Sequence, residues 1–329
     1  MRVTQRFKLL TKKAKNVVIT THLYPDADGI GSELALCLAL KESKKNVYCV
    51  NEEPLPDRYH YLNPGIKIYS YQEFHKHHDD MAIDLFIIVD AHSSERVGTK
   101  MQKLMGLSAQ HLFIDHHPCQ EELQALHCID TKMAATGQIV GSIIETLKIK
   151  FTPAMALPLY AAMIMDTSSF RYPTVTGDTH RLIAKLMDTG GINPQKAYNQ
   201  VYGTKTIGHM LLLGLVLSSA QTTDDESIAW LSLNEEILKK YKVEAEDTNA
   251  YINHLLVLDK IQVACMFRQS GDHVRVSLRS TGKIDVGAMA QAMGGGGHNH
   301  SAATTIKGEL HQVIEKTIAN LKTMLRAHN

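Results

Sequence analysis

Paired cysteines, an excess of either charge and long apolar runs are all missing from this 329-residue chain. The five cysteines (Cys37, Cys49, Cys119, Cys128 and Cys265) are odd in number, dispersed, and include no Cys-x-x-Cys pair. That argues against a disulfide framework and for reduced thiols in a cytoplasmic protein. Lys plus Arg is 35 against 34 for Asp plus Glu, a formal charge of +1. Such a balance argues against a basic face that coats long duplex nucleic acid, but leaves room for a small anionic ligand at one site. The N-terminus is basic (Arg2, Arg6, Lys8, Lys12, Lys13, Lys15), and its apolar stretches are too short for a signal sequence or a membrane helix. No membrane partner is expected. No internal repeat or low-complexity tract is evident.

The composition that remains, 44% apolar and 21% charged, is that of a globular protein, and the length suggests two domains. Short β-branched or apolar runs at 17–21, 47–50, 84–90 and 111–115 read as strands; 126–129 is a weaker one. The run Asp84-Leu-Phe-Ile-Ile-Val-Asp90 is apolar enough to be buried on both faces of a parallel sheet. Helical spacing follows at 30–39, 135–147, 154–165 and 179–187. The alternation predicts an α/β domain with a mostly parallel sheet and helices on both faces. Gly190-Gly191-Ile-Asn-Pro194 breaks the pattern. The division expected is a catalytic domain over 1–192, a linker helix region over 193–224, and a smaller α+β domain over 225–329. In that last part, 261–267 and 273–278 read as a hairpin across Gln-Ser-Gly-Asp. The apolar helices near 154–165 and 210–217 serve either the core or a homodimer interface.

Four motifs carry chemistry. His22-x3-Asp26-x-Asp28 lies between a strand and a helix, at the strand end where open α/β folds place ligands. Asp90 ends the most apolar strand, where a carboxylate has little solvation and wants a cation. Asp115-His116-His117 ends another strand; adjacent histidines in extended chain would face opposite sides. Asp166 follows a small-residue helix, with Arg171 nearby as a cationic fork for phosphate. Each motif alone also reads as a helix cap or a solvated turn. Together, His22, Asp26, Asp28, Asp90, His116 and Asp166 suit manganese, magnesium or iron rather than a thiolate-bound zinc. Two such ions would clamp a phosphoryl displacement. Further on, Arg279-Ser280 ends a strand, and Gly294-Gly295-Gly296-Gly297-His298 leaves backbone N–H groups bare for an anion, or is a hinge. It is not a Walker loop, and Gly29-Ile-Gly31 is not a dinucleotide fingerprint.

In this order, the four motifs and the glycine–histidine run resemble the DHH phosphoesterase family with its DHH-associated C-terminal domain. The compact layout is most similar to the bacterial nanoRNase/pAp phosphatases. That resemblance implies hydrolysis of very short oligoribonucleotides and of 3′-phosphoadenosine 5′-phosphate by two divalent ions, most often manganese. It implies one ion on His22, Asp26 and Asp90, and another on Asp28, Asp90, His116 and Asp166. It makes His117, Asp115 and Asp90 the catalytic group, with His117 at the scissile phosphate and Asp115 orienting the histidines. Arg279, Ser280, Gly295, Gly296, Gly297 and His298 would hold a terminal phosphate. The chain departs from the family at Ala27 and Ser168, where glycine is frequent. Hydrolysis of cyclic di-AMP or of its linear product pApA is the alternative. A non-catalytic nucleotide-binding regulator is the alternative outside the class.

Overall fold

The computed structural model describes residues 3–78, 80–203, 206–281 and 284–328; the side chains of Glu246, His298, Ala327 and His328 lie outside that description. The chain forms two units that divide between Gly203 and Thr204.

The first unit is built on six strands: β1 (Asn16–Thr20), β2 (Asn46–Asn51), β3 (Ile68–Ser70), β4 (Leu85–Val89), β5 (His111–Asp115) and β6 (Cys128–Ile129). All pair in parallel, in the order β3-β2-β1-β4-β5-β6. Both faces must therefore be covered. Side chains alternate accordingly: Val17 and Ile19 join one core, Val18 the other. On the first face lie α1 (Val3–Thr11), α2 (Ala27–Glu42), α6 (Thr136–Thr146), α7 (Pro153–Asp166), α8 (Gly177–Gly190) and α9 (Pro194–Tyr202). On the second lie α3 (Tyr71–His78), α4 (Thr99–Gly106) and α5 (Glu121–Leu126). α2 is buried almost all round because α6 and α7 pack over it. A Cβ at Gly31 would stand 2.3 Å from the Pro158 carbonyl oxygen, so the glycine is there for this close helix crossing.

The strand order fixes where a site can form. From β1 the chain winds outward to β3, then returns to β4 on the other side of β1. The connections leaving the carboxyl ends of β1 and β4 therefore part in opposite directions and leave a crevice between them.

The second unit is a mixed sheet, β7 (Gln221–Thr222), β8 (Ile228–Leu233), β9 (Val263–Ser270), β10 (His273–Ser280), β11 (Gly296–His298) and β12 (Ser301–Lys307), in the order β11-β12-β10-β9-β8-β7. β8 and β9 are parallel and the other pairs antiparallel. α10 (Ile207–Ser218) and α11 (Glu235–Tyr241) pack in one core. α12 (Val286–Ala292) and α13 (Leu310–His328) pack in the other. The β9–β10 hairpin turns at Gly271, whose φ of +57° favours glycine.

The stretch 193–224 is not a separate linker. α9 belongs to the first unit, where Ala197 enters the core, and α10 belongs to the second, where Leu212 and Val216 do. Both helices carry an apolar stripe, and each stripe finds a core to fill. α7 is likewise core, whereas Ile207, Met210, Leu211 and Leu215 of α10 are exposed. Among the described residues, no single helix is long and apolar enough to cross a membrane.

Candidate metal centre

Beyond β1 the chain passes through His22 and enters α2 at Asp26, the N-cap. Asp26 Oδ1 accepts the N–H groups of Asp28 (2.9 Å) and Gly29 (3.1 Å), leaving Oδ2 to offer elsewhere. His22 Nδ1 meets the Leu23 carbonyl at 2.7 Å, so the proton sits there and Nε2 is free to ligate. That Nε2 lies 3.4 Å from Asp90 Oδ2.

Asp90 follows β4 directly, with a left-handed backbone (φ +62°) that costs a non-glycine residue roughly 1–2 kcal/mol. Its N–H continues the ladder to Ile114 O at 2.9 Å, and the turn carries its carboxylate back over the strand ends. Asp90 Oδ1 is 3.0 Å from Thr136 Oγ1, 3.6 Å from His117 Nδ1 and 4.0 Å from His116 Nε2.

Asp28, in the first turn of α2, is fully buried against the N-terminus of α6. Its Oδ2 accepts Thr136 N–H at 2.7 Å; its Oδ1 accepts Gly137 N–H at 2.8 Å and Ser32 Oγ at 3.1 Å. His116 Nε2 stands 3.8 Å from Asp28 Oδ2 and 2.6 Å from Asp166 Oδ2, at the end of α7.

Two ligand triads result, His22–Asp26–Asp90 and Asp28–His116–Asp166, and a third cluster, Asp90–Asp115–His116–His117, lies beside them; the donor atoms of each group are within 4.8 Å of one another. His116 links them through Asp90. The six side chains expected as ligands thus stand together, contributed by the chain beyond β1, β4 and β5 and by the end of α7.

The histidine pair differs from expectation. The chain leaves β5 at Asp115, and its carboxylate Oδ1 accepts the N–H groups of both His116 (2.8 Å) and His117 (3.2 Å). This turn cancels the strand alternation. The two rings sit side by side, 4.5 Å between centroids, instead of facing opposite ways.

The electrostatics call for cations. Burial, then the charges of Asp90 and Asp166, push Asp26 up to about 6. The same causes push Asp28 further up. His22 is raised to about 9: burial opposes its charge, but Asp90 and Asp26 outweigh burial. Burial opposes Asp90 ionisation too, yet His22 and His117 hold it below the usual carboxylate range. His116 Nε2 is buried without an aligned hydrogen-bond partner, although three carboxylates surround it. A nitrogen so placed has the disposition of a ligand atom. Four carboxylates and two imidazoles, with no thiolate among them, fit hard or borderline divalent ions.

Comparisons with known proteins place the chain in a family. Residues 16–164 match the model of the DHH family N-terminal domain, and residues 227–326 match the DHHA1 domain. An uncharacterized protein of Mycoplasma genitalium is 30% identical over 304 residues, covering 91% of this chain and 90% of that protein. The chain belongs to the DHH family of phosphoesterases. Another similar protein is the Thermus thermophilus bifunctional oligoribonuclease and PAP phosphatase NrnA, 27% identical over 94% of this chain and 90% of its own length. An exopolyphosphatase-related protein from Bacteroides fragilis shares the fold, with a TM-score of 0.83 at 24% identity over 99% of this chain and 96% of that one.

In the first unit, Ser168 begins three successive left-handed residues, Ser168, Ser169 and Phe170 (φ +48°, +63° and +66°), a conformation that glycine adopts at less cost. Arg171 folds back on the same turn: its Nε donates to Ser168 O at 2.8 Å and an Nη to Ser168 Oγ at 2.9 Å.

In the DHHA1 domain the glycine run is not a bare loop. Gly296–His298 forms edge strand β11, paired with Ser301–Ala303. A Cβ on Gly295 would meet Ala303 O at 2.2 Å, and one on Gly297 would meet the Ala302 Cα at 2.4 Å. Close strand packing is thus one reason for glycine here. The N–H of Gly295 is already spent on Ala290 O at 2.8 Å. Ser280 is a correction: it is buried, and its hydroxyl donates to Ile284 O at 2.6 Å, with Asn299 O at 3.1 Å. It ties two loops together rather than facing a ligand. Arg279, beside it, is half-buried and donates to Leu278 O at 2.9 Å. The His298 side chain lies outside the described residues.

Sequence reading missed Thr136, Gly137 and Ser32, which orient Asp90 and Asp28. Thr-Gly opening a helix carries no signal of its own, since the carboxylate it serves is 108 residues away.

Proposed function

We propose that this chain hydrolyses the phosphate esters of short oligoribonucleotides, releasing mononucleotides, and removes the 3′-phosphate of 3′-phosphoadenosine 5′-phosphate. Two divalent ions, manganese for preference, would be held by His22, Asp26 and Asp90 and by Asp28, Asp90, His116 and Asp166. When bound, such a pair supplies an activated water and withdraws charge from the phosphoryl oxygens.

The observation that carries this reading is the pair of ligand triads joined through Asp90. The Thermus thermophilus relative, by name an oligoribonuclease and PAP phosphatase, suggests the substrate class.

The chain's own residues have distinct work. Thr136 and the α6 N-terminus hold Asp90 and Asp28 in place. His117 Nδ1 bonds to Asp115 Oδ1 at 2.5 Å, which fixes the ring, and in the proposed role Nε2 would be the atom turned to substrate. Burial disfavours the His117 charge, but Asp115 and Asp90 together raise its pKa, a direction that favours proton donation to the leaving oxygen. Arg171 in the first unit, and Arg279 with the Gly295–His298 segment in the second, are the groups proposed to bind the substrate's other phosphates.

The test is an assay with manganese against 3′-phosphoadenosine 5′-phosphate, a ribodinucleotide, pApA and pyrophosphate. Phosphate release from the first and mononucleotides from the second are expected. Asp90→Ala should abolish both while the circular dichroism spectrum is unchanged. A wild-type protein that binds these nucleotides without turning them over would overturn the reading, and so would a fully active Asp90→Ala.

A further inference from the structure

Asp115 is fully buried, and its two oxygens are used very differently. Oδ1 takes three donors: the N–H groups of His116 and His117 and the His117 ring. Oδ2 has one donor among the described residues, Nδ1 of His92 at 2.6 Å. His92 comes from a different strand connection. The left-handed turn at Asp90 swings the chain so that the residue two further on crosses to the end of β5. Its ring stands 6.4 Å from the His117 ring, tilted by 45°, and its side chain is 24% exposed. His117 is thus flanked by His116 on one side and His92 on the other, with Asp115 gripped by both strand ends.

We infer that His92 is a positioning residue for the proposed hydrolysis: it clamps the Asp115 carboxylate so that Oδ1 keeps His117 aimed at the substrate phosphate. The inference rests on the hydrolase reading above. Its physical basis is that a carboxylate held at one oxygen can rotate about its Cβ–Cγ bond, whereas one held at both cannot. His117 shares Oδ1 with two backbone groups, so any rotation of Asp115 moves the ring. No atom of His92 belongs to any of the ligand groups; Asp115 is outside both triads but joins Asp90, His116 and His117 in a third cluster of donor atoms. Because His92 bonds Asp115 at Oδ2 while the His117 ring is held at Oδ1, the effect should fall mainly on turnover rather than on ion binding.

The test compares wild type, His92→Ala and His92→Asn, the last because an asparagine amide can donate from the place of the histidine Nδ1. His92→Ala should lower kcat by about ten- to a hundredfold, the usual effect of losing an outer partner of a site residue. KM should stay within about twofold, and manganese stoichiometry and affinity by calorimetry should match wild type. His92→Asn should recover most of kcat. An unchanged kcat in His92→Ala, with active wild type, sinks the inference and leaves the hydrolase reading standing. A raised KM at constant kcat would make His92 a substrate contact and equally overturn it. Lost manganese binding would show instead that His92 supports the ion site. If wild type turns over none of the nucleotides, the hydrolase reading fails and takes this inference with it.

Discussion

Glu33 offers a quantitative test of how the fold treats charge. It sits midway along α2, fully buried, seven residues beyond the N-cap Asp26. Its Oε2 accepts from Asn51 Nδ2 at 2.9 Å, while Oε1 has no aligned hydrogen-bond partner among the described residues. Asn51 Oδ1 in turn accepts Thr20 Oγ1 and Thr21 N–H, each at 3.1 Å. Burial raises the Glu33 pKa from 4.5 to about 8, with the Asn51 hydrogen bond pulling weakly the other way. The folded state therefore binds this proton more tightly than the unfolded chain. Below pH 4.5 both states are protonated and the group is neutral to stability. Between 4.5 and about 8 stability falls by about 1.4 kcal/mol per pH unit, and above 8 it levels off. From pH 6 to pH 8 the loss comes to about 3 kcal/mol. Glu33→Gln keeps the size and the Asn51 contact but cannot ionise. Urea unfolding of both proteins at pH 6, 7, 8 and 9 reads the difference, and every other titrating group cancels between them. The variant should gain on wild type by about 3 kcal/mol across this window, with no further gain from 8 to 9. Parallel pH dependences would show that Glu33 stays charged in the fold and would refute the reasoning.

Other consequences are equally direct. Thr136→Val removes the hydroxyl that bonds Asp90 while keeping the backbone N–H that bonds Asp28; manganese affinity by calorimetry should fall about tenfold, and an unchanged affinity would remove Thr136 from the site. Asp26 must be ionised to hold an ion, and in the metal-free protein burial and its neighbours place it at about 6. His22, raised to about 9, must also lose its proton to ligate, so apparent manganese affinity should climb with pH up to about 9 and fall more steeply, by about a further tenfold per unit, below 6. A flat profile down to pH 5 would count against that ligand. Gly31→Ala drives a Cβ into the Pro158 carbonyl and should cost about 1–3 kcal/mol, several degrees in Tm. Gly214→Ala on α10 meets nothing within 4 Å and should leave Tm unchanged or raised.

Much of the first unit was legible in the chain itself, because its signals are local. The run 85–89 is wholly apolar, and such a strand has to be covered on both faces, which implies a parallel sheet with helices on either side. Each such strand ends in a carboxylate or imidazole, and parallel strands put their carboxyl ends on one edge. Convergence of His22, Asp26, Asp28, Asp90 and His116 follows from that, whereas Asp166 is brought to them by the packing of α7 on α2. Three other things did not follow. The side-by-side histidines depend on Asp115 bonding its own successors, which local alternation rules do not anticipate. The spent Ser280 hydroxyl and the strand-paired glycines depend on which loop lies next to them. The grips on Asp28, Asp90 and Asp115 come from Thr136, Gly137 and His92, residues of unremarkable type far along the chain. A hydrogen bond lasts only over a few ångströms, and sequence separation says nothing of that distance until the sheet has closed.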